Sequence, residues 1–150
     1  LTVTLRDINL DNWEQIANLK VDDAQQQFVH PNWYSMLQTL YLPEILYHRA
    51  IYNDDEAVGY AAMGQDPDDQ TCFISRLMID AAHQGKGCGR AAMVAILDDL
   101  RARYGADAVI LVRVVPENIA ARKLYESLGF QDTGEVQRGE IVYRLPQPAP

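Results

Sequence analysis

Gln84-Gly85-Lys86-Gly87-Cys88-Gly89-Arg90 sets a glycine at every second position, directly after the apolar run Leu77-Met78-Ile79 and directly before a helix-periodic stretch. Glycine has no Cβ, so successive backbone N–H groups there can turn inward around an anion. The helix that follows adds the positive end of its dipole, and Lys86 and Arg90 add formal charge. Alone, the loop reads equally well as a tight turn or as a phosphate cradle. No Gly-Lys-Ser/Thr closes it, which excludes a P-loop. A dinucleotide fold needs its glycines after the first strand of a parallel βαβ series, and here three antiparallel-looking strands come first.

Working outward from the loop, the N-terminal side changes period. Leu1–Leu5 alternates as a first strand, and Asn12 or Asp11 caps a short helix carrying Trp13, Ile16 and Ala17. A second helix is predicted from Trp33 to Leu42, stopping before Pro43. Period two then takes over in three strands, His48–Tyr52, Ala57–Met63 and Thr71–Ile79, separated by polar turns at 53–56 and 65–70. In the third strand Phe73, Ser75, Leu77 and Ile79 are expected on one face.

On the C-terminal side, Ala92, Met93, Ile96, Leu97 and Leu100 give an amphipathic helix over Gly89–Tyr104. Val109–Val115 is a β-branched run suited to a strand covered on both faces. A helix over Asn118–Leu128 ends at Gly129, and strands near Phe130–Val136 and Ile141–Leu145 close the chain. The order is β-α-α-β-β-β-α-β-α-β-β: an α/β (mixed α+β) fold with a mostly antiparallel central sheet flanked by helices. A single domain is expected over residues 1–150, with Pro146–Pro150 as a frayed tail.

Composition narrows the function. With 21 acidic against 13 basic residues the net charge is −8, which disfavours nucleic acid and would concentrate a cationic substrate, or would simply keep the chain soluble. No apolar stretch approaches the ~20 residues of a membrane span, and no signal peptide opens the chain. The 2 cysteines, Cys72 and Cys88, cannot form a disulfide framework, and His30, His48 and His83 lack metal-ligand spacing. A cytoplasmic protein without a metal, a nucleic-acid partner or a membrane anchor is expected.

The loop has a second signal about 30 residues on: Asn118-Ile119-Ala120-Ala121-Arg122-Lys123-Leu124-Tyr125-Glu126-Ser127-Leu128-Gly129-Phe130. Gln84, Gly87 and Gly89 meet the pattern Gln or Arg, two residues, Gly, one residue, Gly or Ala. Together the two blocks make the whole chain resemble the GNAT superfamily of N-acetyltransferases. More weakly, Trp13, Phe28-Val29, Asn32, Ser35 and Arg76–Asp80 resemble bacterial spermidine/spermine acetyltransferases.

The resemblance implies acetyl-CoA as cosubstrate and a small-molecule amine as acceptor, a polyamine such as spermidine or spermine first, with a protein N-terminus, an amino acid or an antibiotic amine as the alternatives. It places CoA pyrophosphate on Gln84, Gly85, Lys86, Gly87, Cys88, Gly89 and Arg90. The pantetheine arm falls beside Leu77, Met78 and Ile79, where a bulged central strand splays from its neighbour. Asn118, Ala121 and Lys123 join the cofactor site, though Asn118 is equally a helix cap. Tyr125 is implied as general acid, its phenol protonated at neutral pH, and the Met78 amide as oxyanion donor. Because the central strand carries Arg76 where many relatives have glutamate, the base is expected to be a water chain to an acid of the first helical region. Asp22, Asp23, Phe28 and Trp33 are the expected acceptor contacts. A non-catalytic acyl-CoA-binding domain is the competing class, and the oligomeric state stays open between a monomer and a homodimer.

Overall fold

The computed structural model describes residues 1–147. Seven strands form one sheet in the order β1-β2-β3-β4-β5-β7-β6. They are β1 (Val3–Arg6), β2 (Leu46–Asn53), β3 (Glu56–Gln65), β4 (Cys72–Ile79), β5 (Ile110–Val114), β6 (Gln131–Gln137) and β7 (Glu140–Leu145). Every pairing is antiparallel except β4 with β5. The helices are α1 (Trp13–Asn18), α2 (Asn32–Tyr41), α3 (Cys88–Tyr104) and α4 (Ile119–Ser127), and the expected element order is the observed one. Two short 3-10 turns, Gln26–Phe28 and Ala81–His83, were not legible in the periodicity.

Local chemistry explains the helix ends. Gly87 takes a left-handed φ of 86° as the N-cap of α3, and its carbonyl accepts from the Ala91 amide at 3.1 Å. Asn118 caps α4, with Oδ1 accepting from the Ala121 amide at 3.3 Å. At the other end Gly129, at φ 95°, lets its own N–H reach Glu126 O and the Phe130 N–H reach Tyr125 O at 3.0 Å. This Schellman closure ties the Tyr125 backbone to the strand that follows.

Two cores sit on opposite faces of the sheet. One packs Met93, Ile96 and Leu100 of α3, with Leu124 and Leu128 of α4, against Ile51, Met63, Ile110 and Tyr143. The smaller one gathers Ile16 of α1 and Met36 of α2 over Ala50, Tyr60, Ala62 and Met78. The buried face of α2 is polar, formed by Asn32, Ser35 and Thr39, while Trp33, Leu37 and Leu40 point outward.

A bulge corrects the expected facing of β4. Ala62 pairs with Arg76 and Met63 with Ile74, so Ser75 is the extra residue and alternation inverts across it. Cys72 and Ile74 therefore share a core with Leu77 and Ile79, and neither Phe73 nor Ser75 is on that face. Arg76 and Met78 turn to the α1–α2 side.

The Pro146–Pro150 tail lies outside the described residues from Pro148 on. Before it, Gln147 Nε2 donates to Asp107 O at 2.9 Å. Among the described residues no helix is long and apolar enough to cross a membrane.

Candidate active site

β4 and β5 pair only through Cys72–Ile110, Phe73–Leu111 and Ile74–Val112, then part at the bulge. Beyond it, the edge of β4 that faces β5 has no strand partner. Which amides face that opening follows from the ladder. The Asp80 N–H donates to Val58 O at 2.8 Å, and antiparallel bonding alternates, so Met78–Tyr60 and Arg76–Ala62 are also bonded pairs. The Met78 amide is thus committed to β3 and is not available as the expected oxyanion donor. Leu77 and Ile79 turn their backbone groups into the opening, and the Ile79 carbonyl accepts from Gln84 Nε2 there at 2.8 Å.

The opening continues as a groove of about 290 Å³ between β4, the glycine loop and α4. Of the expected cofactor contacts, Leu77, Met78, Ile79, Gln84, Gly85, Gly89, Asn118, Ala121 and Tyr125 line it. Gln84 holds the loop in place, bonding Gln25 Oε1 at 2.7 Å as well as Ile79 O. Gly85 and Gly87 both have left-handed φ, 75° and 86°, and a Cβ on Gly85 would meet nothing within 4 Å, so the loop is open to a ligand. An open glycine turn at a helix start, beside an unpaired strand edge, suits a long ligand with a phosphate end and amides along its arm. Lys86 and Arg90 are exposed at the mouth of the loop. The Cys88 side chain is instead buried in the α3 core, and Lys123 is exposed on α4 outside the groove lining.

Adjoining this groove, a second cleft of about 420 Å³ opens toward α2 and β7. Phe28, Val29, Leu77, Asn118, Ala121 and Tyr125 line both spaces and form their junction. Tyr125 is pinned there against Phe130, with ring centroids 5.8 Å apart, and against Tyr143 at 6.5 Å. Burial, then the negative charge of Glu140, pushes its phenol up to about 12. The group is a proton donor throughout the neutral range.

A third cleft of about 470 Å³ lies between α1 and α2 and includes Trp33, Lys20 and Arg76. The expected acidic contacts do not line these clefts. Asp22 Oδ1 accepts from the Gln25 amide at 3.0 Å and Asp23 Oδ1 from Gln26 Nε2 at 3.2 Å, closing their own exposed turn. Asp80 is equally occupied, accepting from the Lys20 and Ala82 amides. The carboxylate that does line the second cleft is Glu140, at the start of β7 and far from the first helical region in sequence. No local signal marked it, because only sheet order β5-β7 brings it beside Tyr125. Among the described residues no group of three or more His, Cys, Asp or Glu side chains could hold a metal ion.

Residues 8–130 match the model of the acetyltransferase (GNAT) family. The chain belongs to the GNAT family. It is 26% identical over 151 residues to a spermine/spermidine N(1)-acetyltransferase of Bacillus subtilis, covering 95% of this chain and 97% of that one. Its fold superposes on the spermidine N-acetyltransferase of Vibrio cholerae solved with CoA and spermine (TM-score 0.71, 19% identity, 95% and 92% coverage). It also superposes on the PaiA N-acetyltransferase of Thermoplasma acidophilum in complex with coenzyme A (TM-score 0.70, 10% identity, 96% and 98% coverage). As a GNAT acetyltransferase the enzyme takes acetyl-CoA as acetyl donor.

Proposed function

We propose that this GNAT enzyme transfers acetyl directly from acetyl-CoA to a primary amine, with the cosubstrate in the β4–loop–α4 groove and the amine in the cleft beside Glu140. The observation that carries this reading is the junction: one phenol, held protonated by burial, lines both the donor groove and the acceptor cleft. A domain that only binds acyl-CoA has no use for a proton donor at that point.

In this reading the amides of Gln84 through Arg90 carry the pyrophosphate, with Lys86 and Arg90 adding charge at the rim. Leu77 and Ile79 pair with the pantetheine arm, and the Leu77 amide, not that of Met78, stabilises the thioester oxygen as charge develops on it. Glu140, directly or through water, removes the proton that keeps the incoming amine an ammonium ion. As the C–S bond breaks, Tyr125 gives its proton to the departing thiolate, and the second proton shed by the acylated nitrogen, passed through water, restores the phenol. Asn118 fixes the start of α4 and Ala121 leaves room along it. Lys123 contributes from the exposed face of α4, as a charge near the phosphates. The two free, buried cysteines support a reducing, cytoplasmic setting, and the whole activity fits one domain over residues 1–150.

For the acceptor, the full-length likeness to a spermine/spermidine acetyltransferase supports a polyamine. Phe28 and Trp33 supply aromatic surface for it. Asp22 and Asp23 act from the rim next to the lining residues Val21 and Gln25, attracting a polycation through solvent rather than by contact. Thiol release from acetyl-CoA with an amine panel that includes spermidine and spermine tests both levels. Turnover with any amine supports acetyl transfer, and turnover confined to polyamines supports the finer reading. Tight CoA binding without acetyl transfer to any amine would make the chain a binding domain.

A further inference from the structure

Arg76 is 7% exposed, and its surroundings do not neutralise it. One terminal nitrogen donates to Asn32 Oδ1 at 3.3 Å, a neutral acceptor, while the buried Nε has no partner. None of the ion pairs among the described residues includes it. Burial pulls its pKa down only to about 10, so the guanidinium is charged at neutral pH. Buried charges are ordinarily paired, because leaving water without a counter-ion is expensive.

Its position is built, not incidental. The Ser75 bulge inverts the strand so that Arg76 leaves the α3 core and enters the α1–α2 side. Asn32 is itself fixed, its Nδ2 donating to Ile16 O at 2.8 Å, which aims Oδ1 at the guanidinium. The guanidinium stands in the wall shared by the second and third clefts. The second cleft also presents Arg113 and Arg138 against one carboxylate, Glu140. In a chain of net charge −8, this recess is cation-lined.

We propose that Arg76 receives a carboxylate carried by the acceptor, so that the preferred substrate is an amine that also bears an acid group, such as an amino acid, and not a bare polyamine. This rests on the acetyl-transfer reading and replaces the polyamine, which likeness alone supports, with an acceptor that the cleft's own charges favour. The planar fork of arginine, with Nε free and one edge held by Asn32, suits a carboxylate. A polyamine would have to bring an ammonium group up to an unneutralised guanidinium. The same cation that attracts one class of acceptor repels the other.

Two matched pairs isolate the acid group: ornithine against putrescine, and alanine against ethylamine, each pair differing by one carboxylate. With wild-type enzyme, kcat/KM for the acid member of at least one pair is expected to exceed its partner's by about 10-fold or more. In Arg76→Met that ratio falls to about one, mainly by loss on the acid, while CoA affinity measured by calorimetry stays within about 2-fold. The variant's Tm is expected to equal or exceed wild type, since an unpaired buried charge has been replaced by an apolar side chain of similar length. A purely structural arginine would show the reverse. Arg76→Lys, which keeps the charge, is expected to retain part of the preference.

A direct readout uses the Arg76 Nε–H resonance in CoA-bound wild-type protein. It is expected to shift on titration with ornithine and not with putrescine, whether or not the substitutions fold. Neither pair favouring the acid, a ratio unchanged in Arg76→Met, or an Nε–H resonance indifferent to ornithine would each overturn the proposal. Acetyl transfer to putrescine or spermidine in that event leaves the acetyltransferase reading intact. Absence of both CoA binding and thiol release with every amine would instead remove that reading.

Discussion

Replacing Gly87 with alanine perturbs the start of α3 without adding bulk to the groove. A Cβ there meets only Leu1 Cδ2, at 3.5 Å, so the penalty is conformational. Its φ of 86° is left-handed, where an L side chain costs about 1–2 kcal/mol. For a domain of this size that predicts a Tm lower by roughly 2–8 °C. The strain is relieved only by rotating Gly87 out of the turn, which swings the peptide leading into Cys88 and moves at least one loop amide off the pyrophosphate. A hydrogen bond to a charged group is worth about 1.5–3 kcal/mol, so CoA affinity should fall by roughly 10- to 150-fold. Gly89→Ala is the control. Its Cβ makes ordinary contact with Ile79 Cγ1 at 3.8 Å and Leu124 Cδ2 at 4.0 Å, and its φ is not left-handed. That variant should gain up to about 1 kcal/mol from helix propensity and bind CoA within about 3-fold of wild type. Calorimetric unfolding and CoA titration on both variants decide the matter. Gly87→Ala with wild-type Tm and affinity, or Gly89→Ala as the more damaging change, would refute the reasoning.

Other expectations follow from the same geometry. Tyr125→Phe keeps the ring packed against Phe130 and Tyr143 and removes the donor, so kcat should drop about 10²-fold with little change in CoA affinity. Stopped-flow acetyl transfer at wild-type speed would move the acid role elsewhere. Burial raises the fully buried Tyr60 to about 12, as it does Tyr125, so the fold favours the neutral phenol. Their contribution to stability is complete below pH 10 and is lost as pH rises from 10 toward 12. Tyr60 alone accounts for at most roughly 3 kcal/mol, and urea unfolding of Tyr60→Phe should show a shallower alkaline decline. Gly64→Ala would place a Cβ 1.8 Å from Ile45 O, a backbone atom that cannot yield cheaply. Chemical denaturation should show a loss of about 2 kcal/mol or more, and an unaffected variant would mean that β3 moves freely past that turn.

The order of elements was legible because each depends on neighbours in the chain. The polar turns at 53–56 and 65–70, the glycine end of α4 and the Asn118 cap are local devices, and all act in the structure as read. The glycine loop was legible for the same reason: left-handed φ at 85 and 87 is a demand that a few adjacent residues state in full. Phe28 and Tyr125 both line the junction of two clefts, although nothing local indicated that they would meet there.

Tertiary structure decided the rest, and for one recurring reason: each remaining feature depends on a partner remote in sequence. The bulge at Ser75 has no marker in the strand itself, because it exists only as two β4 residues opposing one of β3. That single residue reverses which amides face the opening, from Met78 to Leu77, and it sends Arg76 to the α1–α2 side. Asp22 and Asp23 looked like an acceptor site by charge alone, but their carboxylates are used by the amide and side-chain donors of their own turn. Glu140 reaches the cleft only because β7 inserts between β5 and β6. Sequence by itself determined a GNAT acetyltransferase scaffold, its element order and the glycine loop that opens α3. Only the packing of α2 against a bulged β4 decided that Arg76 is buried with no ion-pair partner among the described residues, since burial and pairing belong to the assembled structure and to no segment of it.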